Sequence, residues 1–210
     1  MWRLEDVLDL YAEPFNPARP VVCVDELPYQ LLSNVREPLP RQVGKAERID
    51  YEYKREGTCA IFLAFEPKAG WRHLETRERR TSMDFALFMR DVAKHYPEAE
   101  VIRIVLDNLN THSPAAFYQA FCPEVARQLT KRFEWHFTPV HGSWLNQAEI
   151  EFSVLARQCL RRRLESRERV VQELAAWAGE RNARGMRAHW RFTSEDARVR
   201  LARLYPGIAE

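Results

Sequence analysis

The sequence is poor in the features that mark secreted proteins and thiolate metal sites. Its four cysteines are scattered and none forms a Cys-x-x-Cys pair, so we expect neither disulfide bonds nor a zinc knuckle. No stretch is apolar enough to span a membrane, and the N-terminal segment carries acids and lacks the basic start of a signal peptide. We therefore expect a cytoplasmic protein that does not associate with membranes.

Motifs for nucleotide binding and for serine-based catalysis are absent as well. The sequence contains no Walker-type phosphate loop, no dinucleotide-binding glycine fingerprint and no Gly-x-Ser-x-Gly elbow. Low-complexity segments and repeats of solenoid spacing are not found either. A covalent mechanism with a side-chain nucleophile is therefore not expected.

Positive charge is concentrated toward the C-terminus. The chain has 210 residues, a formal net charge of +2 and 46% hydrophobic residues, which is enough for one full core. Residues 151–205 contain 13 Arg, no Lys and seven acids, a net charge of about +6. A basic face suits a polyanion such as a nucleic acid, although a solvated helix surface gives the same pattern.

The order of hydrophobic segments predicts an α/β fold. Apolar runs and alternating patterns predict five strands, at 21–26, 58–67, 71–79, 101–108 and 133–140. Helices are predicted at 2–11, 81–96, 113–132 with a break at Pro123, 145–163, 167–185 and 194–205. Three strands in a meander, followed by alternating strands and helices, predict a mixed five-stranded sheet with helices on both faces.

These segments divide the chain into three parts. Residues 1–19 are predicted to form an N-terminal helix and linker, residues 20–165 the α/β domain, and residues 166–210 a C-terminal helical extension. Within the domain, residues 34–57 are polar and charged, which predicts a long loop or an extended hairpin arm. Loops of that length in a compact domain are usually functional or mobile.

Two predicted strands run directly into acids. Asp25 and Glu26 follow one apolar run, and Asp107 follows another. Ligand sites in α/β sheets form at the carboxyl ends of strands, so neighbouring parallel strands would present Asp25 and Asp107 side by side. Two carboxylates that close repel each other, and a divalent cation relieves the repulsion. Alternatively, each aspartate caps the loop or helix that follows its strand.

A third acid comes from helical geometry. On a helix that begins near Leu145, Glu149 shares the apolar stripe that faces the sheet, whereas Glu151 falls on the opposite side and is predicted to face water. A carboxylate in such a stripe is costly unless it is paired or bound to metal. Asn146 and Glu149 also have the spacing of a capping box, which is the structural alternative.

Three segments resemble the DDE transposases, ribonuclease H-like enzymes with an Asp-Asp-Glu triad. They are CVDE at 23–26, LDNLNTH at 106–112 and HGSWLNQAEIEFSVL at 141–155, in the family's order. The third is the most specific, because Ser143, Asn146 and Glu149 fall where the family carries its motif. The resemblance is to the insertion-sequence 630 group, relatives of the mariner elements, and extends from about residue 20 to 163.

The resemblance implies DNA cleavage and strand transfer during transposition of an insertion sequence. Asp25 would bridge two Mg²⁺ ions, for which Mn²⁺ could substitute, while Asp107 and Glu149 would each complete the shell of one ion. The residues implied to support the site are Asn108 and His112, near the DNA, together with Ser143 and Asn146.

The resemblance also implies partners. DNA, as transposon ends and target, would be held mainly through phosphates, and the candidate contacts are Lys54, Arg55, Arg161, Arg162 and Arg163. A homodimer is expected in the synaptic complex, in a bacterial cytoplasm at the nucleoid. Only about twenty residues precede the first catalytic strand, which predicts a separately encoded or fused helix-turn-helix subunit.

Other functions fit the same residues. A ribonuclease H-like nuclease without strand transfer would carry an identical triad. An inactive remnant that only binds DNA, or a generic α/β domain whose acids are caps, would need no metal ion.

Overall fold

The computed structural model describes residues 1–40, 42–45, 48, 50–109 and 111–205. Its main elements are α1 (Trp2–Ala12), β1 (Val21–Asn34), β2 (Tyr53–Glu66), β3 (Trp71–Arg77), α2 (Ser82–His95), β4 (Ile102–Leu106), α3 (Ala115–Ala120), α4 (Pro123–Arg132), β5 (Phe133–Phe137), α5 (Gln147–Gln158), α6 (Arg167–Ala183) and α7 (Ser194–Arg200). The predicted order is confirmed. Residues 206–210 of the predicted C-terminal extension lie outside the described residues, as do residues 41, 46, 47 and 49 of the predicted arm and Asn110.

One mixed sheet joins the strands of the described chain in the order β3-β2-β1-β4-β5. β1, β2 and β3 pair antiparallel, whereas β1 pairs with β4, and β4 with β5, in parallel. The predicted mixed five-stranded sheet is therefore confirmed. Because β1, β4 and β5 run in the same direction, the residues that follow their parallel pairing lie at one edge of the sheet.

The first strand does not end at its acids, as the sequence had suggested. β1 continues to Asn34 because β2 pairs with it along nearly its whole length, from Cys23 opposite Phe65 to Asn34 opposite Tyr53. Its parallel partner β4, in contrast, pairs only as far as Cys23. Asp25 therefore lies where the parallel part of the sheet ends, and the remainder of β1 forms one side of a hairpin arm.

Two apolar layers cover the sheet, one on each face. Alternation along β1 sends Cys23 to one face and Val22 and Val24 to the other. The first layer includes side chains of α1, α5, α6 and α7, and the second includes those of α2, α3 and α4. The N-terminal helix packs into the first layer through five buried residues: Leu4, Val7, Leu8, Leu10 and Tyr11. It is therefore part of the same core as the sheet.

Local signals explain where several helices begin. Thr81 caps α2 in a reciprocal capping box with Asp84, and Pro123 occupies the first turn of α4, where its missing N–H costs nothing. The predicted helix at 145–163 is shorter in the structure, Gln147–Gln158. It is preceded by a 3₁₀ turn, Ser143–Leu145, and ends before the three arginines at 161–163.

The prediction that Glu151 faces water is wrong. Its side chain is 4% exposed, and its Oε1 lies 2.7 Å from Arg72 Nε and 2.9 Å from Arg181 Nε. Arg181 also donates to Oε2 of Glu151 at 3.2 Å. Helical periodicity placed Glu151 on a face that was assumed to be open to solvent. In the structure, β3 and α6 cover that face and bring Arg72 and Arg181 against it.

Within the described residues, no helix combines the length and the hydropathy that crossing a bilayer requires.

Candidate active site

The pairing register of β1 and β4 places Asp25 and Asp107 at the same position along the two strands. The last parallel pair between β1 and β4 joins Cys23 to Val105, and Asp25 and Asp107 each come two residues later. Since side chains alternate along a strand, Asp25 lies on the face of Cys23, which is the face that α5 covers. Asp107 directly follows the end of β4 at Leu106, at the same edge of the sheet.

Asn146 holds the start of α5 against this edge. Its Oδ1 accepts the backbone N–H of Ala148 at 3.1 Å, and its Nδ2 donates to the carbonyl of Val24 at 2.8 Å. The same turn is held from α1, where the Tyr11 hydroxyl donates to the carbonyl of Leu145 at 2.8 Å. These bonds tie the first turn of α5, which carries the half-buried Glu149, to the residue that precedes Asp25.

The capping interpretation of this turn is correct only in part. Asn146 is the N-cap, but its side chain binds Ala148 rather than the third helical residue. Among the described residues, Glu149 makes no reciprocal side-chain bond to Asn146. Its carboxylate is thus not used as a cap in the structure.

The pKa of Asp25 responds to the charges of the other two acids. Burial, together with the negative charges of Asp107 and Glu149, raises the pKa of Asp25 to about 7. Burial acts to raise the pKa of Asp107, but the hydrogen bond and charge of His112, the N–H of Leu109 and the charge of Arg80 together hold it below its usual value. A site in which acids repel in this way favours a cation.

The donor set suits a hard divalent ion, although it is not closed around one. Oxygen ligands without a nearby thiolate favour Mg²⁺ or Mn²⁺ over zinc. Within the described residues, no three His, Cys, Asp or Glu side chains are already arranged to hold a metal ion. One oxygen of each aspartate is engaged by the protein, Asp25 Oδ1 by the N–H of Glu26 at 2.8 Å and Asp107 Oδ1 by His112 at 2.6 Å.

The supporting residues occupy different environments. Asn108 accepts from Arg3 of α1 and donates to the carbonyl of Thr138, so it links three segments beside Asp107. Ser143 is exposed at the start of the 3₁₀ turn that precedes Asn146.

His112, which was predicted to support the site near the DNA, is buried in the structure. The residue is 2% exposed, and its ring bridges Asp107 and Glu26 beneath the strand ends. Burial lowers the pKa of His112, but the hydrogen bonds to Asp107 and Glu26 overcome this effect and raise the pKa to about 9. The ring therefore acts inside the protein rather than on a ligand.

The residues expected to bind DNA lie away from the acids. Arg161, Arg162 and Arg163 follow the C-terminus of the 12-residue helix α5, whereas Glu149 is in its first turn, roughly 15 Å along the axis. Lys54 and Arg55 are exposed on the hairpin arm. Any DNA contacts made by this group would therefore lie away from the three acids.

Three of these basic residues already have protein partners. Lys54 pairs with Glu56 at 3.0 Å, and Arg162 pairs with Glu173. Arg163 donates to the carbonyls of Asp50 and Glu52 at 2.8 and 2.7 Å, so in this structure it braces the arm.

Two residues near the acids, Glu26 and Arg80, were not identified as site residues from the sequence. Glu26 was recognised only as one of two acids at a strand end, although alternation along β1 could have indicated that it enters the opposite face from Asp25. Arg80, in the exposed loop between β3 and α2, lowers the pKa of Asp107 through its charge and lines a small pocket of about 270 Å³ with Glu26. No local pattern marks Arg80.

The fold and the acids define a class of protein. A mixed five-stranded sheet in this order, with one carboxylate where the parallel pairing of β1 ends, one directly after β4 and one on a following helix, is the arrangement of the ribonuclease H-like enzymes that act on nucleic acid phosphodiesters. The sequence profile of the DDE superfamily endonucleases matches residues 20–171, and the chain belongs to that family. The predicted family is thereby confirmed.

Solved structures of the Mos1 mariner transposase share the fold. The Mos1 paired-end complex with left transposon end matches with a TM-score of 0.58 and 16% identity, over 88% of this chain and 57% of that one. The Mos1 paired-end complex with Mn matches with a TM-score of 0.55 and 15% identity, over 88% and 57%. A pre-cleavage Mos1 transpososome matches with a TM-score of 0.56 and 15% identity, over 87% and 56%.

These matches confirm the predicted ribonuclease H-like fold. The chain spans a little over half the length of the Mos1 chains that it matches. No curated protein is significantly similar to it in sequence.

Proposed function

We propose that this chain is the catalytic domain of a DNA transposase that cleaves transposon ends and joins them to target DNA. The observation that carries the proposal is the register of β1 and β4, in which Asp25 and Asp107 come level on the edge where Asn146 anchors α5. Glu149 is the third acid, and its negative charge contributes to the raised pKa of Asp25.

The three carboxylates are the proposed ligands of two divalent ions, Mg²⁺ or Mn²⁺. Ions held by these carboxylates would supply activation of a water or a 3′-hydroxyl and stabilisation of the leaving oxygen. In the protein, Asp25 is held by the sheet, Asp107 is oriented by His112, and Glu149 is presented by the first turn of α5. No side-chain nucleophile is needed, because the attacking group is a water or the DNA itself.

The proposed substrates and partners follow from the likeness to Mos1. That transposase is described in paired-end complexes with transposon end DNA, and one of them contains Mn. We propose the same class of DNA substrate here, a homodimer in the synaptic complex, and a helix-turn-helix region supplied by a separate or fused chain. The proposed location is the nucleoid of a bacterial cytoplasm.

Metal-dependent cleavage of DNA tests this function. Mg²⁺-dependent nicking is compared for the wild type and for Asp25→Ala, Asp107→Ala and Glu149→Ala, with the exposed acid Glu124→Gln as the control. We expect each of the three to lower the rate by more than roughly 100-fold, beyond what the loss of an outer-shell partner costs, and the control to match the wild type. Equal cutting by all five proteins would overturn the proposed site.

Strand transfer separates a transposase from a simple nuclease. Pre-cut ends that carry a free 3′-hydroxyl are incubated with target DNA and Mg²⁺, and joined products are measured. A transposase domain yields joined products that depend on Asp25, Asp107 and Glu149. Nicking without joining, on ends that the protein binds, would instead identify a nuclease.

A further inference from the structure

A second acid lies directly behind the proposed metal site. Glu26 follows Asp25 on β1, so its side chain enters the opposite face of the sheet, where it is only 1% exposed. Its backbone N–H donates to Asp25 Oδ1 at 2.8 Å, and its Oε1 lies 3.0 Å from His112 Nε2. One residue thus contacts one proposed ligand through its backbone and reaches toward another through its side chain.

His112 completes the connection to Asp107. Its Nδ1 lies 2.6 Å from Asp107 Oδ1, so both ring nitrogens are engaged, and its ring packs on Phe85 with centroids 4.7 Å apart. The His112 side chain is fully buried. Two hydrogen bonds and one aromatic contact fix the orientation of the imidazole, which makes the shorter of two bonds to Asp107 Oδ1; the other comes from the N–H of Leu109 at 3.2 Å.

This arrangement is a poor way to gain stability alone. Within the described residues, Oε2 of the buried Glu26 has no hydrogen-bond partner. A buried carboxylate that is satisfied on one oxygen costs free energy, and an apolar side chain of similar volume would usually cost less. Asp107, in contrast, lies just beyond the last residue of β4 and has no strand partner to orient it.

We infer that Glu26 and His112 are positioning residues that hold the Asp107 carboxylate ready for a divalent ion. The inference rests on the proposed function, in which Asp107 is a metal ligand. Glu26 acts only through His112, which makes the direct hydrogen bond. Carboxylate ligands are commonly oriented by such outer-shell hydrogen bonds, and loss of one typically lowers metal affinity by about 10–100-fold.

Mn²⁺ binding to the metal-free chain, measured by titration calorimetry, tests the inference. Glu26→Met and His112→Phe remove the hydrogen bonds while keeping the space filled. The matched control is Glu66→Met, because Glu66 is also a buried acid with one hydrogen bond, to Tyr96 at 2.9 Å, but lies on β2 opposite the start of β1. We expect each site variant to raise the dissociation constant about 10–100-fold and the control to leave it unchanged.

A double variant shows whether the two residues act in series. If Glu26 works through His112, the combined Glu26→Met and His112→Phe variant binds Mn²⁺ no more weakly than His112→Phe alone. Glu26→Gln, whose amide can still bond the ring, restores most of the affinity. In the cleavage assay, excess Mn²⁺ rescues Glu26→Met, because the defect is in metal affinity.

Several results would overturn the inference. One is wild-type Mn²⁺ affinity in a folded Glu26→Met or His112→Phe variant, and another is additive losses in the double variant. If either single variant fails to fold by circular dichroism, the other tests the same connection. Asp107→Asn distinguishes failure of the proposed metal site from failure of the inference. If Asp107→Asn binds Mn²⁺ normally, the proposed site is wrong. If Asp107→Asn loses binding while Glu26→Met and His112→Phe keep it, only the inference is wrong.

Discussion

Helix α5 contributes one acid to each of two clusters of buried or half-buried charged groups, and the two clusters differ in net charge. The arginine cluster consists of Arg72, Glu151 and Arg181, and the acid cluster consists of Asp25, Glu26, Asp107, His112 and Glu149. The first sets two guanidinium groups against one carboxylate. The second sets four carboxyl groups against one imidazole.

The remaining contacts of the arginine cluster are also supplied by the protein. Arg72 donates to Asn182 Oδ1 at 3.1 Å and to the carbonyl of Met186 at 2.6 Å. Arg181 donates to both oxygens of Glu151, while Arg72 Nε lies close to Glu151 but is not aligned for a hydrogen bond. The arginine cluster is therefore structural, since each of its charged groups is paired with another group of the protein.

The acid cluster, in contrast, is the proposed site of a divalent cation, which would offset its negative charge. Its excess of negative charge appears in the raised pKa of Asp25, which burial and the charges of Asp107 and Glu149 produce. Glu149 and Glu151, two residues apart on one helix, therefore lie in opposite environments, one among acids and the other between two arginines. The comparison indicates that charge balance within the fold separates a ligand site from a structural ion pair.

The largest expected effect is on Glu151. Glu151→Ala leaves two arginines without their buried counter-ion and should lower the free energy of unfolding by about 3–5 kcal/mol. Glu149→Ala, on the same helix and with the same new side chain, should change it little. Urea unfolding of both variants without metal is the measurement, and equal midpoints for the two would remove the distinction between the clusters.

A smaller effect, of opposite sign, is expected at Asp25. Its pKa of about 7 in the folded state lies above the ordinary value of 3.8, so the metal-free wild type should lose stability as pH rises from about 4 to 7. Asp25→Asn should remove the part of this dependence that is due to Asp25, leaving the part due to the raised pKa of His112, and, at pH 8 in EDTA, raise the free energy of unfolding by on the order of 1 kcal/mol.

The measurement is urea unfolding at pH 5 and pH 8 in EDTA. Glu124→Gln, which changes an exposed acid on α4, serves as the control and should keep the pH dependence of the wild type. Parallel pH curves for Asp25→Asn and the wild type would mean that the acids do not repel as described.

The smallest expected effect compares two helix caps. Thr81→Ala and Asn146→Ala each remove an N-cap side chain and should each cost about 1 kcal/mol of stability. Only Asn146→Ala should also reduce cleavage, because Asn146 Nδ2 binds the carbonyl of Val24 beside Asp25. The cleavage rates of the two variants are measured at a temperature where both are fully folded. Equal rates would show that Asn146 has no role at the site.

Much of the architecture follows from local patterns in the chain. The alternation and apolar runs predicted the order of the strands, Thr81 and Pro123 marked two helix starts, and the acids after apolar runs pointed to one edge of the sheet. These predictions were correct because strand and helix periods and capping bonds involve residues only a few positions apart.

Errors arose where distant segments meet. Glu151 is buried against Arg72 and Arg181, which lie 79 and 30 positions away in sequence. Strand β1 continues past its acids because β2 pairs with it. His112 is turned inward by Glu26, 86 positions away. Helical periodicity cannot indicate which face a later helix will cover, nor which acid a histidine will find.

What the amino-acid order determines by itself is the sequence of strands and helices and the candidate acids, since hydrophobic period and capping act over a single turn or pair of residues. What only the tertiary structure decides is the environment of each acid. Burial and the charges of groups far apart in the chain set the free energy of each ionised carboxyl, and these groups become neighbours only when the sheet and its covering helices assemble.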